Sequence, residues 1–231
     1  MHSEITIQEN THYVHTLVCT EQTQQKDVSL TFYLERYATL DVECFVAHID
    51  ALVTINCILI DESSYATIKV IYIAHQSNNI SIKTTQHHRS AHAKSNVMVK
   101  GVLYDNAQSS YVGMIRVEEK AYATQALQEN KNILLSENAR VVSVPQIEVL
   151  TNDVQCFHGS ATGAFDQEQL LYAQSRGIAL VDAQRLLLKG FFADMFKSSA
   201  MKNCLKSYLL SPAFVTLQPG SPIECNEIGV K

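Results

Sequence analysis

The sequence reads as mainly β, with a small helical region at its C-terminal end. Three observations carry that reading. Side chains alternate with a period of two up to about residue 155. Polar clusters interrupt the alternation every 10 to 14 residues or so, the spacing of many short strands. After Phe165 the apolar positions switch to helical spacing.

The alternation is plainest in "VSLTFYLE", where Val28, Leu30, Phe32 and Leu34 share one side and Ser29, Thr31, Tyr33 and Glu35 the other. This is what a half-buried strand requires. The runs "TIKVIYIA", "NISIKTT", "NVMVKGVLY", "SSYVGMIRVEE" and "ARVVSVPQIEVL" repeat it, separated by "DESS", "QSNN", "DNAQSS" and "SENA". Such a series suits a sandwich, a barrel or a solenoid. The chain holds only 8 glycines and no Asn-Gly or Asp-Gly pair, so tight hairpins lack their usual marker and the solenoid is favoured slightly. The strand region is assigned to residues 1–160, its first 25 or so being the least regular, and the helical region to 161–231.

In that second region, "DQEQLLYAQSRG" opens on Asp166 as N-cap, with Gln169 at capping-box spacing and Gly177 at the C-terminal stop. "DAQRLLLKGFFADMF" sets Leu187, Phe191 and Met195 at steps of four beside Leu188, Phe192 and Phe196, a broad apolar helical face. "AMKNCLKSYLL" does the same with Met201, Leu205 and Tyr208. The tail from Ser211 carries three of the four prolines and reads as extended.

Composition excludes several classes. A formal net charge of -5 gives no broad footprint for a nucleic-acid backbone. No apolar stretch approaches the roughly 20 residues that span a bilayer. "MHSEITIQEN" has no charged-then-apolar leader pattern, so a cytoplasmic protein is expected. Six cysteines, at 19, 44, 57, 156, 204 and 225, show no CxxC spacing and read as free thiols.

Three segments could carry chemistry. In "DVQCFHGSATG", Cys156 and His158 project from one face of a strand, about 6.5 to 7 Å apart along it. Thiolate and imidazole both bind iron and zinc, so the pair suits two ligands of one metal or cluster; the alternatives are a nucleophile and base, or a buried cysteine beside a surface histidine. "QHHRSAHAKS" gathers His87, His88, Arg89, His92 and Lys94. With no carboxylate among them, and residues 87 and 88 on opposite faces, a solvated basic rung is the better reading than a zinc site. "LQENKNILLS" looks like an amide-rich turn in which Gln128, Asn130 and Asn132 satisfy loop backbone. The chain has neither GxxxxGK[ST] nor GxSxG, so any nucleotide hydrolysis must come from a partner.

Read together, "HHRSAHAKSNVMVKGVLYDNAQSSYVGMIRVEEKAYAT", "NKNILLS", "PQIEVLTNDVQCFHGSATG", "LLYAQSRGI" and "GFFADMF" resemble the SufB/SufD family, scaffold proteins of Suf-type iron–sulfur cluster assembly. The resemblance runs from about Thr84 to Leu210. It is closer to SufD, because Gly159 follows the histidine where SufB has glutamate. It implies a right-handed parallel β-helix followed by a small helical domain, and a non-catalytic scaffold rather than an enzyme. It implies pairing through the β-helix, with a SufB-like subunit or with itself, and docking of a SufC-like ATPase on the helical domain. Cys156 and His158 inherit the role of candidate ligands for a transient iron–sulfur cluster, absent from the isolated protein. Tyr172, Arg176, Gly177 and Phe191 fall on the helical motifs that face the ATPase. Residues 1 to about 25 read as strand and loop where the family has an N-terminal helical region, so a short form is expected. Two other readings stay open: a stand-alone metal-binding or cysteine-dependent enzyme using Cys156 and His158, and a structural subunit with no cluster site.

Overall fold

The computed structural model describes residues 1–23 and 26–210; the proline-bearing tail and Cys225 lie outside the described residues. The first half of the strand region contains β1 (His2–Ile7), β2 (His12–Thr20), β3 (Asp27–Leu34), β4 (Thr39–Ala47), β5 (Ala51–Leu59) and β6 (Tyr65–Ala74). It continues with β7 (Asn79–His88), β8 (Lys94–Leu103), β9 (Gln108–Val117), β10 (Thr124–Leu134), β11 (Arg140–Val149) and β12 (Val154–Gly163). Three helices follow: α1 (Gln167–Ser175), α2 (Leu180–Phe191) and α3 (Ser199–Leu210).

Odd strands form one six-stranded sheet, in the order β1-β3-β5-β7-β9-β11, and even strands the other, β2 to β12. Every pairing is parallel. The chain therefore winds as a parallel β-solenoid of about six turns, two strands to a turn, which settles the choice that alternation alone left open. Glycine does not make the corners. Asn10, Tyr37, Ser63, His92 and Ala123, all with φ between 53° and 59°, occupy the corner from the odd to the even sheet. L-residues pay for this left-handed backbone. Here each one's N–H is satisfied by a carbonyl of the next turn: Asn10 by Arg36 (3.0 Å), Tyr37 by Glu62 (3.2 Å), Ser63 by Ala91 (3.2 Å), His92 by Tyr122 (2.9 Å) and Ala123 by Asp153 (2.7 Å). The corners stack as the strands do.

Between the sheets lies one continuous core running from Leu17 and Cys19 through Phe32, Ile55, Cys57 and Val70 to Tyr111. The odd sheet turns a polar outer face to solvent, with Ser29, Thr54, Lys83 and Ser110 on neighbouring strands. The middle of the even sheet, from β4 to β8, is covered on both faces. Phe45, Ile71, Ile73, Val102 and Tyr104 on its outer side pack against Leu188, Phe192, Met195, Met201, Leu205 and Tyr208 of the helical region. "TIKVIYIA" therefore does more than bury alternate residues: Val70 to Ala74 are all buried, because β6 lies between the core and the helices.

The helical boundaries follow their capping signals. Asp166 accepts from the N–H groups of Glu168 (2.9 Å) and Gln169 (3.3 Å). Gly177 takes φ 83°, and the bonds Gly177 N to Gln174 O (2.9 Å) and Ile178 N to Ala173 O (3.2 Å) close a Schellman stop. The second helix ends sooner than its apolar spacing predicts. After Phe191 the chain turns and its carbonyls are claimed by the sheet: Lys100 Nζ donates to Phe191 O (2.7 Å) and Asp194 Oδ1 (2.6 Å), and Lys69 Nζ to Asp194 O. Buried Glu43 accepts from Lys197 and Ser198 N–H just before α3. At the other end of α3, Tyr208 OH and His48 Nε2 lie 2.6 Å apart, with His48 stacked on His75 at 3.7 Å between centroids.

Burial lowers the pKa of His48 to about 3, helped by the neighbouring His75, and that of His88 to about 3 as well. Both are neutral in the folded protein, whereas an unfolded histidine titrates near 6.5. Between those values the unfolded chain binds more protons, so stability falls as pH falls. Each histidine contributes a slope of about 1.4 kcal/mol per pH unit. Urea midpoints are expected to be flat for these groups above pH 7 and to drop steeply from pH 6.5 towards 3. His88→Asn should remove roughly one proton's share of the slope.

Candidate functional site

Cys156 and His158 lie on β12, the last strand of the even sheet. Its register with β10 sets Cys156 opposite Ala126, His158 opposite Gln128, Ser160 opposite Asn130 and Thr162 opposite Asn132. Those four β10 residues point into the solenoid and are buried, so Cys156 and His158 share the inward-facing side, as alternation predicts. Above them no further turn covers that side among the described residues. Cys156 is half-covered, against Val149, Val154 and Ala126, and His158 is exposed. Ser160 Oγ donates to Ser143 Oγ across the mouth of the turn (2.9 Å).

The outer edges of β11 and β12 pair with no strand among the described residues. Apolar side chains crowd this rim: Val142 is 60% exposed, Leu150 49% and Phe157 59%. An unpaired, apolar strand edge is a template for pairing with another chain.

Burial pushes the Cys156 thiol pKa up, and a backbone hydrogen bond from Ala126 offsets this in part. A nucleophilic cysteine needs the opposite shift. Among the described residues no three His, Cys, Asp or Glu side chains stand close enough to hold a metal ion. The pair can offer one thiol and one imidazole, leaving the rest of a coordination sphere to other groups.

The other sequence candidates divide. Tyr172 is 62% exposed, and the Arg176 guanidinium lies 5.1 Å from its ring centre. With Ile178, Leu186 and Leu187 they line a groove between α1 and α2, and Gly177 closes α1 beside it. Phe191 is not part of that groove: it is half-buried on Phe192, with Lys100 Nζ 5.1 Å from its ring centre. The basic segment does not form one solvated rung. His88 is fully buried and bonded to Ser95 Oγ (2.7 Å), while His87 faces outward and meets Glu118 (2.7 Å). Arg89, His92 and Lys94 are exposed around the corner between β7 and β8.

The amide-rich "turn" is strand β10, and its amides are interior. Asn132 Oδ1 accepts from Tyr72 OH (2.6 Å), Asn130 and Asn132 bond one another (2.9 Å), and Gln128 Oε1 accepts from Gln86 Nε2 (3.3 Å). Tyr72 fits because Gly101 opposite it has no side chain; a Cβ there would stand 2.2 Å from the phenol ring. The available signal was the period of two in Gln128, Asn130 and Asn132, outweighed by their polarity.

Comparison with known proteins decides the family. Residues 2–191 match the family described as "SUF system FeS cluster assembly, SufBD core domain". The chain belongs to the SufBD family. It is similar to an iron–sulfur cluster assembly SufBD family protein of Mycobacterium bovis, 35% identical over 139 residues, covering 57% of this chain and 35% of that protein. It is similar also to the iron–sulfur cluster assembly protein SufD of Escherichia coli (33% over 113 residues; 49% and 27%) and of Bacillus subtilis (30% over 137 residues; 59% and 31%). The matched part thus spans about a third of these relatives' length. The family's description refers to iron–sulfur cluster assembly by the Suf system, and the match agrees with the resemblance read from the motifs. No described helix is long and apolar enough to cross a membrane.

One prediction concerns the thiol. Alkylation of Cys156 by iodoacetamide, followed by peptide mass spectrometry, should show a pH midpoint above that of a free cysteine peptide. A midpoint below it would identify an activated nucleophile and reopen the enzyme reading.

Proposed function

We propose that the protein is a non-catalytic, cytoplasmic scaffold subunit of Suf-type cluster assembly, with the nascent cluster as its cargo. One observation carries the reading: the half-covered thiol and exposed imidazole share the inward side of the last described turn, whose apolar outer edges pair with no strand among the described residues. A second chain, either a SufB-like subunit or another copy of this one, extends the sheets there. In doing so it brings the ligands that Cys156 and His158 lack. An incomplete sphere suits a cargo that must later leave.

The helical region serves the second partner, a SufC-like ATPase that supplies the nucleotide hydrolysis for which this chain has no motif. The groove of Tyr172, Arg176, Leu186 and Leu187 supports that assignment. Phe191 contributes from behind, by fixing the turn that Lys100 holds.

Anaerobic reconstitution with the partner, the ATPase, iron and a sulfur source tests the scaffold role. Cys156→Ala and His158→Ala should each lower visible sulfide-to-iron absorbance severalfold, with thermal midpoints nearly unchanged. Undiminished absorbance in the double variant would make the subunit purely structural. Val142→Lys with Phe157→Lys should abolish pairing in light scattering. Tyr172→Asp should weaken co-purification with the ATPase and leave pairing intact.

A further inference from the structure

Asn132 is the junction of an internal hydrogen-bond chain that runs from the third turn of the solenoid to the last described one. Tyr72 on β6, Gly101 on β8, Asn132 on β10 and Thr162 on β12 occupy one column of the even sheet. Neighbouring strands lie about 4.8 Å apart, so Tyr72 and Asn132 are separated by roughly 9.5 Å of backbone. The phenol spans the gap because Gly101, between them, has no side chain. Tyr72 OH donates to Asn132 Oδ1 (2.6 Å), which leaves its oxygen to accept from Ser109 Oγ (3.0 Å). Asn132 Nδ2 donates to Asn130 Oδ1 (2.9 Å) and to Thr162 Oγ1 (3.2 Å). Asn130 Nδ2 is shared between Asn132 Oδ1 (3.4 Å) and Val99 O (3.3 Å). Both N–H groups and both lone pairs of the Asn132 amide are thus used, which fixes its orientation.

The strand at the end of this chain is one whose side chains specify register weakly. Among the described residues β12 pairs with β10 alone. Beyond Phe157 it reads His158, Gly159, Ser160, Ala161, Thr162 and Gly163, small or polar on both faces. Its near end is held by Val154 and Cys156 in the apolar cluster with Ile115, Val117 and Ala126. Its far half is tied by Ser160 to Ser143 Oγ (2.9 Å) and by Thr162 to Asn132, and the second tie reaches the buried interior. A slip of two residues keeps every side chain on its own face. It would set Cys156 opposite Thr124 or Gln128 instead of Ala126.

We propose that Tyr72 and Asn132 are positioning residues for Cys156 and His158. The strut they form holds Thr162 in its place over Asn132, and with it the register of β12. Gly101 is the gap that lets the strut cross a turn. Because a paired strand shifts as a unit, a tie at Thr162 also fixes Cys156, six residues earlier. The use of that placement in cluster assembly rests on the proposed scaffold role; the strut does not.

Hydrogen exchange in the intact chain, read by mass spectrometry on β6 and β12 peptides, tests the strut. Tyr72→Phe keeps the ring and loses one O–H. It should speed exchange in residues 158–163 about three- to tenfold, the effect of one lost internal hydrogen bond, and leave β6 within about twofold. Acceleration at β6 equal to that at β12, or none at β12, would overturn the proposal. Thr162→Val should match Tyr72→Phe, and Thr162→Ser should restore the unaltered rate. The double variant should be little faster than either single one, because both cut the same chain; multiplied effects would mark independent contacts and overturn the proposal too. Gly101→Ala, whose Cβ would stand 2.2 Å from the phenol ring, should loosen β12 likewise from two strands away. In anaerobic reconstitution, Tyr72→Phe and Thr162→Val should lower sulfide-to-iron absorbance severalfold, with Thr162→Ser at the unaltered yield. No cluster even in the unaltered protein would count against the scaffold role alone, and the exchange rates would still decide the strut.

Discussion

Parallel pairing between strands one solenoid turn apart determines where every side chain of this protein stands. Each residue's partner in its sheet occupies the same position one turn earlier or later, as in Asp41, Thr67 and Asn96 along the even sheet. Side chains therefore stack in columns, and a column that changes from apolar to polar does so over several turns together. The interior is apolar around Phe32, Ile55 and Val70, then becomes hydrogen-bonded around Tyr72, Gln86, His88, Gln128 and Asn132. Cys156 and His158 continue two of those columns to the last turn. The same stacking aligns the left-handed corners, where a backbone donor of each turn is satisfied by the turn above.

Two faces of the molecule follow different rules because only one is covered. The odd sheet keeps the strict alternation of a half-solvated strand. On the even sheet, apolar residues at Phe45, Ile71, Ile73 and Val102 occupy the positions that would otherwise meet water, and the helical region covers them. Its docking is polar at the margins. Lys69 and Lys100 bind the turn after α2, Glu43 binds the residues leading into α3, and the His48–Tyr208 bond fixes the end of α3. The strand and helical regions thus share a core.

Much of this was legible. Period-two runs located the strands, and capping residues located α1. The paired projection of Cys156 and His158 followed from their spacing alone. The solenoid itself needed the resemblance, because alternation describes a strand without saying which strand it pairs with. Glycine-poor corners pointed the right way but gave no mechanism: Tyr37 and Ala123 show no local preference for a left-handed backbone, and only a carbonyl one turn away makes it tolerable. Gln128, Asn130 and Asn132 were misread for a related reason. Apart from the bond between Asn130 and Asn132, their partners, Gln86, Tyr72 and Thr162, are remote in the chain, so little nearby showed that buried amides would be satisfied. The early end of α2 was hidden likewise, since Lys100 claims its last carbonyl from across the fold.

The return of α3 to the second and third turns changes how the chain can come apart. A solenoid whose turns touch only their neighbours behaves as a linear array, able to fray from either end one turn at a time. Here the Glu43–Ser198 and His48–Tyr208 bonds close loops of 155 and 160 residues, spanning nearly all the turns between. Such long closures are slow to form and come late in folding. Once made, they tie the loss of an inner turn to the loss of the helices. The clasp converts a stack that would melt gradually into a body that opens all at once.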